Sequence, residues 1–287
     1  MKVSGLPPLD AFNSNGNTNT NVEGPVWIGD KLYLSEFPFT PAPAARILAL
    51  DPASGQVSVA LANAGSNGLA VDGSGALIAT DHVNGAIVRM SFPLGAPQVI
   101  AGRFQGARFN SPNDLALRSD GTLYFSDPDY QAPSMRPQAK TRVYRLAPGA
   151  SEAVAFDETR AQPNGVTLSA DERTLYVAGT DGIFSYPVLP SGEITPGSGK
   201  RLNAFGGGAD GLGMDCAGNL YATTDQRVVV LDASGMQIAT ISVPGADSVT
   251  NVAFGGPEHK TLFITSMRGG DKPGLFRVEL GVPGLPY

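Results

Sequence analysis

One short phrase of residues recurs six times along the chain, and this recurrence limits what the chain can fold into. Its fullest copy is Asn113-Asp114, the apolar run Leu115–Leu117, the turn Ser119-Asp120-Gly121 and a second apolar run, Leu123–Ser126. Two such runs joined by Asp-Gly predict a β-hairpin, because Asp and Gly adopt the left-handed conformations that a tight turn needs. The other copies open at Glu23-Gly-Pro-Val-Trp27, Asn67-Gly-Leu-Ala-Val-Asp72, Asn164-Gly-Val-Thr-Leu-Ser169, Asp210-Gly-Leu-Gly-Met-Asp215 and Asn251-Val-Ala-Phe254. A second pair of strands recurs between hairpins, as in Arg46–Leu50 before Asp51-Pro-Ala-Ser-Gly55 and Val228–Leu231 before Asp232-Ala-Ser-Gly235. The opening residues are 44, 46, 51, 46 and 41 positions apart. Four strands per unit at that period predict an all-β fold, a six-bladed β-propeller of four-stranded antiparallel blades.

Residues 1–287 are expected to form a single propeller domain, with 1–21 as an N-terminal segment. The last unit runs out after its third strand near Leu280, so its fourth strand is expected from the N-terminus, around Pro8 to Phe12. A hydrophobic content of 42% against 16% charged residues is enough for a sizeable core. Net charge is −6 and no Lys/Arg-rich run occurs, which argues against a nucleic-acid partner, because phosphate neutralisation needs clustered cations. No apolar run approaches the roughly 20 residues of a membrane helix, so no membrane partner is expected. Met1–Asn21 is polar with no apolar signal core, which makes a cytoplasmic location the default and a processed periplasmic form the alternative. The sole cysteine, Cys216, cannot pair within the chain and is expected to be buried packing.

In a propeller the innermost strands line a central channel, so residues at one phase of the repeat form a ring at one end of it. Here that ring is Glu23, Asn67, Asn113, Asn164, Asp210 and Asn251, all oxygen donors. Hard cations such as Ca²⁺ take oxygen ligands from carboxylates and amides, and two carboxylates would balance a divalent charge. With no Cys or His in the ring, zinc is disfavoured. The second strand of each hairpin returns to the same end, which brings Asp81-His82 to the ring, with His82 as a candidate substrate contact. Arg108 and Asn110 precede the third ring position, and an Arg there suits an anionic or hydroxyl-rich ligand. There is no Gly-x-Ser-x-Gly elbow and no phosphate loop, and Gly206-Gly-Gly-Ala-Asp-Gly211 opens a strand rather than a dinucleotide-binding helix.

Glu23-Gly-Pro-Val-Trp27, Arg108-Phe-Asn-Ser-Pro-Asn-Asp114, Pro163-Asn-Gly165, Ala209-Asp-Gly211 and Thr250-Asn-Val-Ala-Phe-Gly-Gly256 occur in that order along the chain. They resemble the senescence-marker-protein/gluconolactonase (regucalcin-like) family, from about Val22 onward. The resemblance implies a six-bladed propeller with one divalent metal at one end of the channel, Ca²⁺ first, with Mg²⁺, Mn²⁺ or Zn²⁺ as alternatives. It implies Glu23, Asn113, Asn164 and Asp210 as metal ligands. Asp81-His82 stands where many bacterial gluconolactonase-like members have Glu-His. The family's lactonases imply hydrolysis of a small lactone, with Asp210 as first candidate base and Asp114 as second, while Arg108, Asn110 and Asn67 orient sugar hydroxyls. Phosphotriesterase-like hydrolysis at the same site, or a non-catalytic binding propeller, are the alternatives. A monomer or weak homodimer is expected.

Overall fold

Each repeat folds back on itself as a β-meander, because its turns are short and its apolar residues alternate along the strands. The structure, a computed structural model, describes residues 4–5, 20–38, 45–202, 206–267 and 274–285. Blade one comprises Thr20–Ile28, Lys31–Pro38, Arg46–Asp51 and Gln56–Leu61; blade two Ser66–Val71, Leu77–Asp81, Ala86–Met90 and Gln98–Ala101. Blade three comprises Leu115–Leu117, Leu123–Asp127, Arg142–Leu146 and Val154–Asp157; blade four Val166–Leu168, Thr174–Gly179, Gly182–Pro187 and Lys200–Arg201. Blade five comprises Leu212–Met214, Leu220–Thr224, Arg227–Leu231 and Gln237–Ser242. Blade six has Val249–Gly255, Thr261–Ser266 and Leu275–Glu279, and its outer strand is Ser4–Gly5, paired antiparallel with Ser4 opposite Arg277. The N-terminal strand of the last blade is thus Ser4–Gly5, while Pro8 to Phe12 lies outside the described residues. The described residues contain no helix, so none is long and apolar enough to cross a membrane.

The first strands of neighbouring blades touch one another in a closed circuit, forming a six-bladed β-propeller. The apolar core is divided into six clusters, each filling the wedge between two blades. Leu115, Phe125 and Tyr144 of blade three pack on Ile78 and Ile87 of blade two. Where blade six meets blade one, Trp27 stacks on Phe263 with ring centroids 5.8 Å apart. Cys216 falls in the turn after Leu212–Met214 and is exposed, contrary to expectation, because Asp215 organises that turn at the surface by accepting from the Ala217 and Asn219 amides.

Hydroxyl side chains, on the second strands in blades one, two, three and five and on the first strand in blade six, tie these blades to the next around the channel. Thr80 donates to the Asn113 carbonyl at 2.6 Å, Ser126 to the Asn164 carbonyl at 2.6 Å and Thr223 to the Thr250 carbonyl at 2.8 Å. The Ser35 and Ser66 hydroxyls are 2.7 Å apart, and Thr250 donates to the Val22 carbonyl, joining blade six to blade one. Blade four has Ala178 at this position, and there the Gly165 amide alone crosses to the Asp210 carbonyl at 3.0 Å. Thr223→Val keeps the shape and removes only the hydroxyl, so it is expected to cost about 1 kcal/mol in chemical denaturation. An unchanged denaturation midpoint would show that this belt does not stabilise the ring.

Candidate active site

The inner strands are irregular where they reach one end of the channel, and this irregularity turns polar side chains inward. In blade two the ladder slips by one residue between Ser66 and Leu69, and in blade six between Val249 and Val252. A bulge of this kind re-aims side chains. In blades three, four and five the amides of Asn113, Asn164 and Asp210 donate to Ser126, Ala178 and Thr223 just before the regular strand begins. The same phase holds Glu23 and Asn67, so five of the six expected ring residues share it.

The sixth does not. Val252 pairs with Ile264 as Leu115 pairs with Phe125, which places Thr250 at the ring phase and Asn251 one step deeper. The Thr250 carbonyl accepts from the Gly211 amide just as the Asp210 carbonyl accepts from Gly165. Repeat spacing alone does not separate Thr250 from Asn251, because both are polar and adjacent. The deeper tier otherwise comprises Gly24, Gly68, Asp114, Gly165 and Gly211. Its glycines leave room that the Asp114 and Asn251 side chains fill. A Cβ on Gly68 would stand 2.9 Å from Asp114 Oδ1, and one on Gly211 would stand 2.3 Å from the Asn251 amide.

Three carboxylates therefore converge at this end. Burial and the neighbouring charges of Asp210 and Asp114 hold the Glu23 carboxyl well above its ordinary range. Burial and Asp114 push Asp210 up to about 8, partly offset by a hydrogen bond from the Asn164 amide. Burial raises Asp114 to about 6 although its oxygens accept from the Val166 and Leu115 amides and, at 3.5 Å, from Asn251. No lysine or arginine is among the groups acting on these three. Asp210 Oδ1 is buried with no hydrogen-bond partner. Buried like charges with an orphaned oxygen are the environment that a bound cation relieves. Among the described residues no group of three or more His, Cys, Asp and Glu side chains is arranged to hold a metal ion. A cation here would therefore depend on the amide oxygens of Asn113 and Asn164 as well as on Glu23 and Asp210, and such a mixed oxygen set suits a hard ion.

The wall of blades two and three carries unpaired polar atoms. Asn67 Nδ2 and His82 Nδ1 are buried without partners. His82 packs on Phe37 with ring centroids 4.7 Å apart, and burial, assisted by the Arg108 charge, lowers it to about 4, so the ring is neutral near pH 7. Arg108 spends Nε on the Phe109 carbonyl and Nη2 on the carbonyls of His82 and Asn110. Asn110 does not face a ligand as expected. It is fully buried, its Oδ1 accepting from the Gln138 amide and its Nδ2 donating to the Lys140 carbonyl, so its side chain is consumed in bracing a loop.

Asp127 shares the repeat phase of Asp81 on the returning second strand, and Tyr130 lies beyond the repeat pattern. Asp127 is fully buried and accepts from the Asn110 and Ser111 amides at 3.0 and 2.8 Å, which fixes the segment leading to Asn113. Tyr130, in the loop after Leu123–Asp127, carries a hydroxyl that the ring carboxylates influence. Burial of that hydroxyl together with Asp210, Glu23 and Asp129 raises it to about 12, so it stays protonated. Its three-residue distance from the strand end was the only sequence signal for it. The channel continues beyond Asp114 and Asn251 into a cavity of about 990 Å³ lined by Leu69, Leu115, Val166, Leu212, Val252 and Leu285. That space lies on the far side of the tier from the ring, and its lining also includes Asp72, Arg89, Arg118 and Glu172.

The fold and motif order find their counterparts among known proteins. Residues 22–268 match the sequence model of the SMP-30/Gluconolactonase/LRE-like region. A gluconolactonase of Zymomonas mobilis is 30% identical over 85% of this chain and 75% of its own length. A regucalcin of Bos taurus is 25% identical over 92% of each chain. The solved structure of a gluconolactonase from Xanthomonas campestris superposes with a TM-score of 0.78 at 27% identity, covering 99% of this chain and 96% of that one. With the family match spanning most of the propeller and its motifs falling at the ring, the chain belongs to the SMP-30/gluconolactonase/LRE-like family.

Proposed function

We propose that this protein is a metal-dependent hydrolase that opens a small sugar-derived lactone to its hydroxy acid. The observation that carries this is the convergence of Glu23, Asp114 and Asp210 at one channel end, raised by burial and by one another, with Asp210 Oδ1 left unpaired. The gluconolactonase relatives supply the substrate class. Glu23, Asn113, Asn164 and Asp210 would hold a divalent cation, Ca²⁺ in the first instance. When bound, it supplies a Lewis acid for the lactone carbonyl and positive charge for the developing oxyanion.

The remaining steps fall to side chains. Asp210, through the carboxylate oxygen that does not face the cation, would take the proton of the attacking water and return it to the ring oxygen as the carbon–oxygen bond breaks. The product acid then ionises and releases a proton. Asp114, one tier below with its oxygens engaged, is not free to move that proton, and its charge strengthens the hold on the cation. Asn67 Nδ2 as donor and neutral His82 Nδ1 as acceptor await substrate hydroxyls, with the Arg108 guanidinium, held by three backbone carbonyls, beside them.

The test is proton release from a lactone panel, with protein stripped by chelator and then resupplied with Ca²⁺, Mg²⁺, Mn²⁺ or Zn²⁺. Stripped protein is expected to be inactive and Ca²⁺ to restore turnover of an aldonolactone. If no lactone is opened with any metal, the proposal fails.

A further inference from the structure

A buried carboxamide with every atom bonded is a fastening point, because removing it strands several polar groups at once. Gln138 is such a group. It is buried, and its side chain bonds to the segment that carries Arg108, thirty residues earlier. Nε2 donates to the carbonyls of Phe104, Ala107 and Arg108 at 3.0, 3.3 and 3.1 Å, and Oε1 accepts from Arg142 Nη1 at 3.2 Å. Arg142 is itself held by Glu158 at 2.7 Å and lies over the Phe104 ring, 5.2 Å from its centroid. The three carbonyls belong to one tight turn. Phe104 and Ala107 exchange both backbone hydrogen bonds, with Gln105 and Gly106 between them in left-handed conformations, φ 51° and 83°. Gln138 therefore closes the turn that ends on Arg108.

Arg108 leaves that turn with its guanidinium laid against blade two. Nη2 reaches the His82 carbonyl at 3.3 Å, and His82 follows Asp81, whose strand partner Ser66 is the neighbour of Asn67. The backbone makes room for it there, since a Cβ on Gly85 would stand 2.4 Å from Arg108 Nε. The guanidinium bonds only to backbone carbonyls, at 3.1 to 3.3 Å, and its Nη1 takes no partner among the described residues. With no carboxylate to hold the head group, its place depends on where its own backbone is fixed. We propose that Gln138 is a positioning residue that fixes the 104–108 turn and so holds the Arg108 guanidinium beside Asn67 and His82 for a substrate oxygen. This rests on the lactonase function proposed above. Asn113 is insulated from the effect. Asp127 anchors the Asn110 and Ser111 amides independently, and the bond from Gln138 to Asn110 runs through the backbone amide, which a side-chain replacement retains.

The experiment uses Ca²⁺-loaded protein, with glucono-δ-lactone as substrate and the corresponding δ-lactam as an unhydrolysed binding probe. Gln138→Leu roughly keeps the side-chain volume and removes the donor. Gln138→Glu, the second variant, keeps the shape and the acceptor for Arg142 but turns an oxygen on the three carbonyls. Each is expected to raise KM about tenfold with kcat within about threefold, the pattern of lost uniform binding. Calorimetric lactam affinity should fall by the same factor, with Ca²⁺ affinity unchanged. A merely structural role would lower Tm without this split, so the deciding measurement is a double-mutant cycle with Arg108→Ala. Arg108→Ala alone is expected to raise KM about thirtyfold, the loss of a hydrogen bond from a charged group. Adding Gln138→Leu, or Gln138→Glu if the leucine variant does not fold, should then change KM by less than about twofold. The proposal is overturned if the Gln138 variant keeps wild-type KM and lactam affinity, if its effect multiplies with that of Arg108→Ala, or if Ca²⁺ affinity falls in parallel. It is equally overturned if neither Gln138 variant folds, which would make Gln138 a folding residue. Wild-type protein that opens no lactone overturns both this proposal and the lactonase function, whereas a failure confined to the variants overturns this one alone.

Discussion

Asp210→Ala is expected to reduce lactone turnover about a thousandfold, the magnitude associated with losing a general base or a principal electrostatic group. Calorimetric Ca²⁺ binding should weaken with it, because Asp210 contributes one of the two carboxylates at the ring and its Oδ1 has no competing partner. The metal-free proteins should differ in the opposite direction. Asp210 is raised to about 8, and the ordinary unfolded carboxylate titrates near 4. Between those values the folded state holds a proton that the unfolded chain has released, so stability falls as pH rises through about 4 to 8 and levels off above. Glu23 and Asp114 are raised too and act in the same sense. Metal-free wild type should therefore melt lower at pH 8 than at pH 5, and Ca²⁺ should reverse the loss. Asp210→Ala removes one of the three like charges, so it should flatten this slope and melt above metal-free wild type at pH 8. Ca²⁺ bound as tightly by Asp210→Ala as by wild type would remove Asp210 from the ligand set.

Gly24→Ala is expected to destabilise the protein by about 3 kcal/mol, the sum of a left-handed backbone penalty and overpacking. Gly24 has φ 54°, and a Cβ there would stand 2.1 Å from the Asn67 carbonyl oxygen and 2.8 Å from Gly68 Cα. Both are backbone atoms of the next blade, so no rotamer change relieves the clash and blades one and two must separate. For a chain of this size the loss corresponds to roughly 5 °C in Tm. Gly24 lies next to Glu23, and its clash is with Asn67, so Ca²⁺ affinity should fall as well. Gly29→Ala is the control. Its φ is 64° but nothing lies within 4 Å of the added Cβ, so only the backbone penalty of about 1 kcal/mol applies. Equal losses at the two positions would show that contact between blades is not the cause.

Blade number, strand order and five of the ring residues were legible because their signals are local. Leu115–Leu117, Asp120-Gly121 and Leu123–Ser126 announce a hairpin by alternation and turn chemistry alone. Their repetition at a near-constant spacing then aligns Glu23, Asn67, Asn113, Asn164 and Asp210 without any knowledge of distance. The misplacement of Asn251 is the kind of error such alignment makes. The Val252–Ile264 pairing puts Thr250 at the ring and Asn251 at the tier of Asp114, and repeat spacing alone could not choose between two adjacent polar residues.

Asn110 looked like a ligand-facing amide because it precedes Asn113 by three positions, yet Gln138 and Lys140, some thirty residues away, claim both of its side-chain atoms. Tyr130 carried no repeat signal, and the loop that bears it is held by Ser111 and Gln162, which lead into two different blades. The sequence by itself determined the repeating unit, its count and the oxygen-rich phase that opens each unit, since these follow from nearest-neighbour conformational preferences. Which of those oxygens lack a partner and how the carboxylates raise one another were decided only by closure of the ring. Burial and pairing depend on what remote segments bring to the same place.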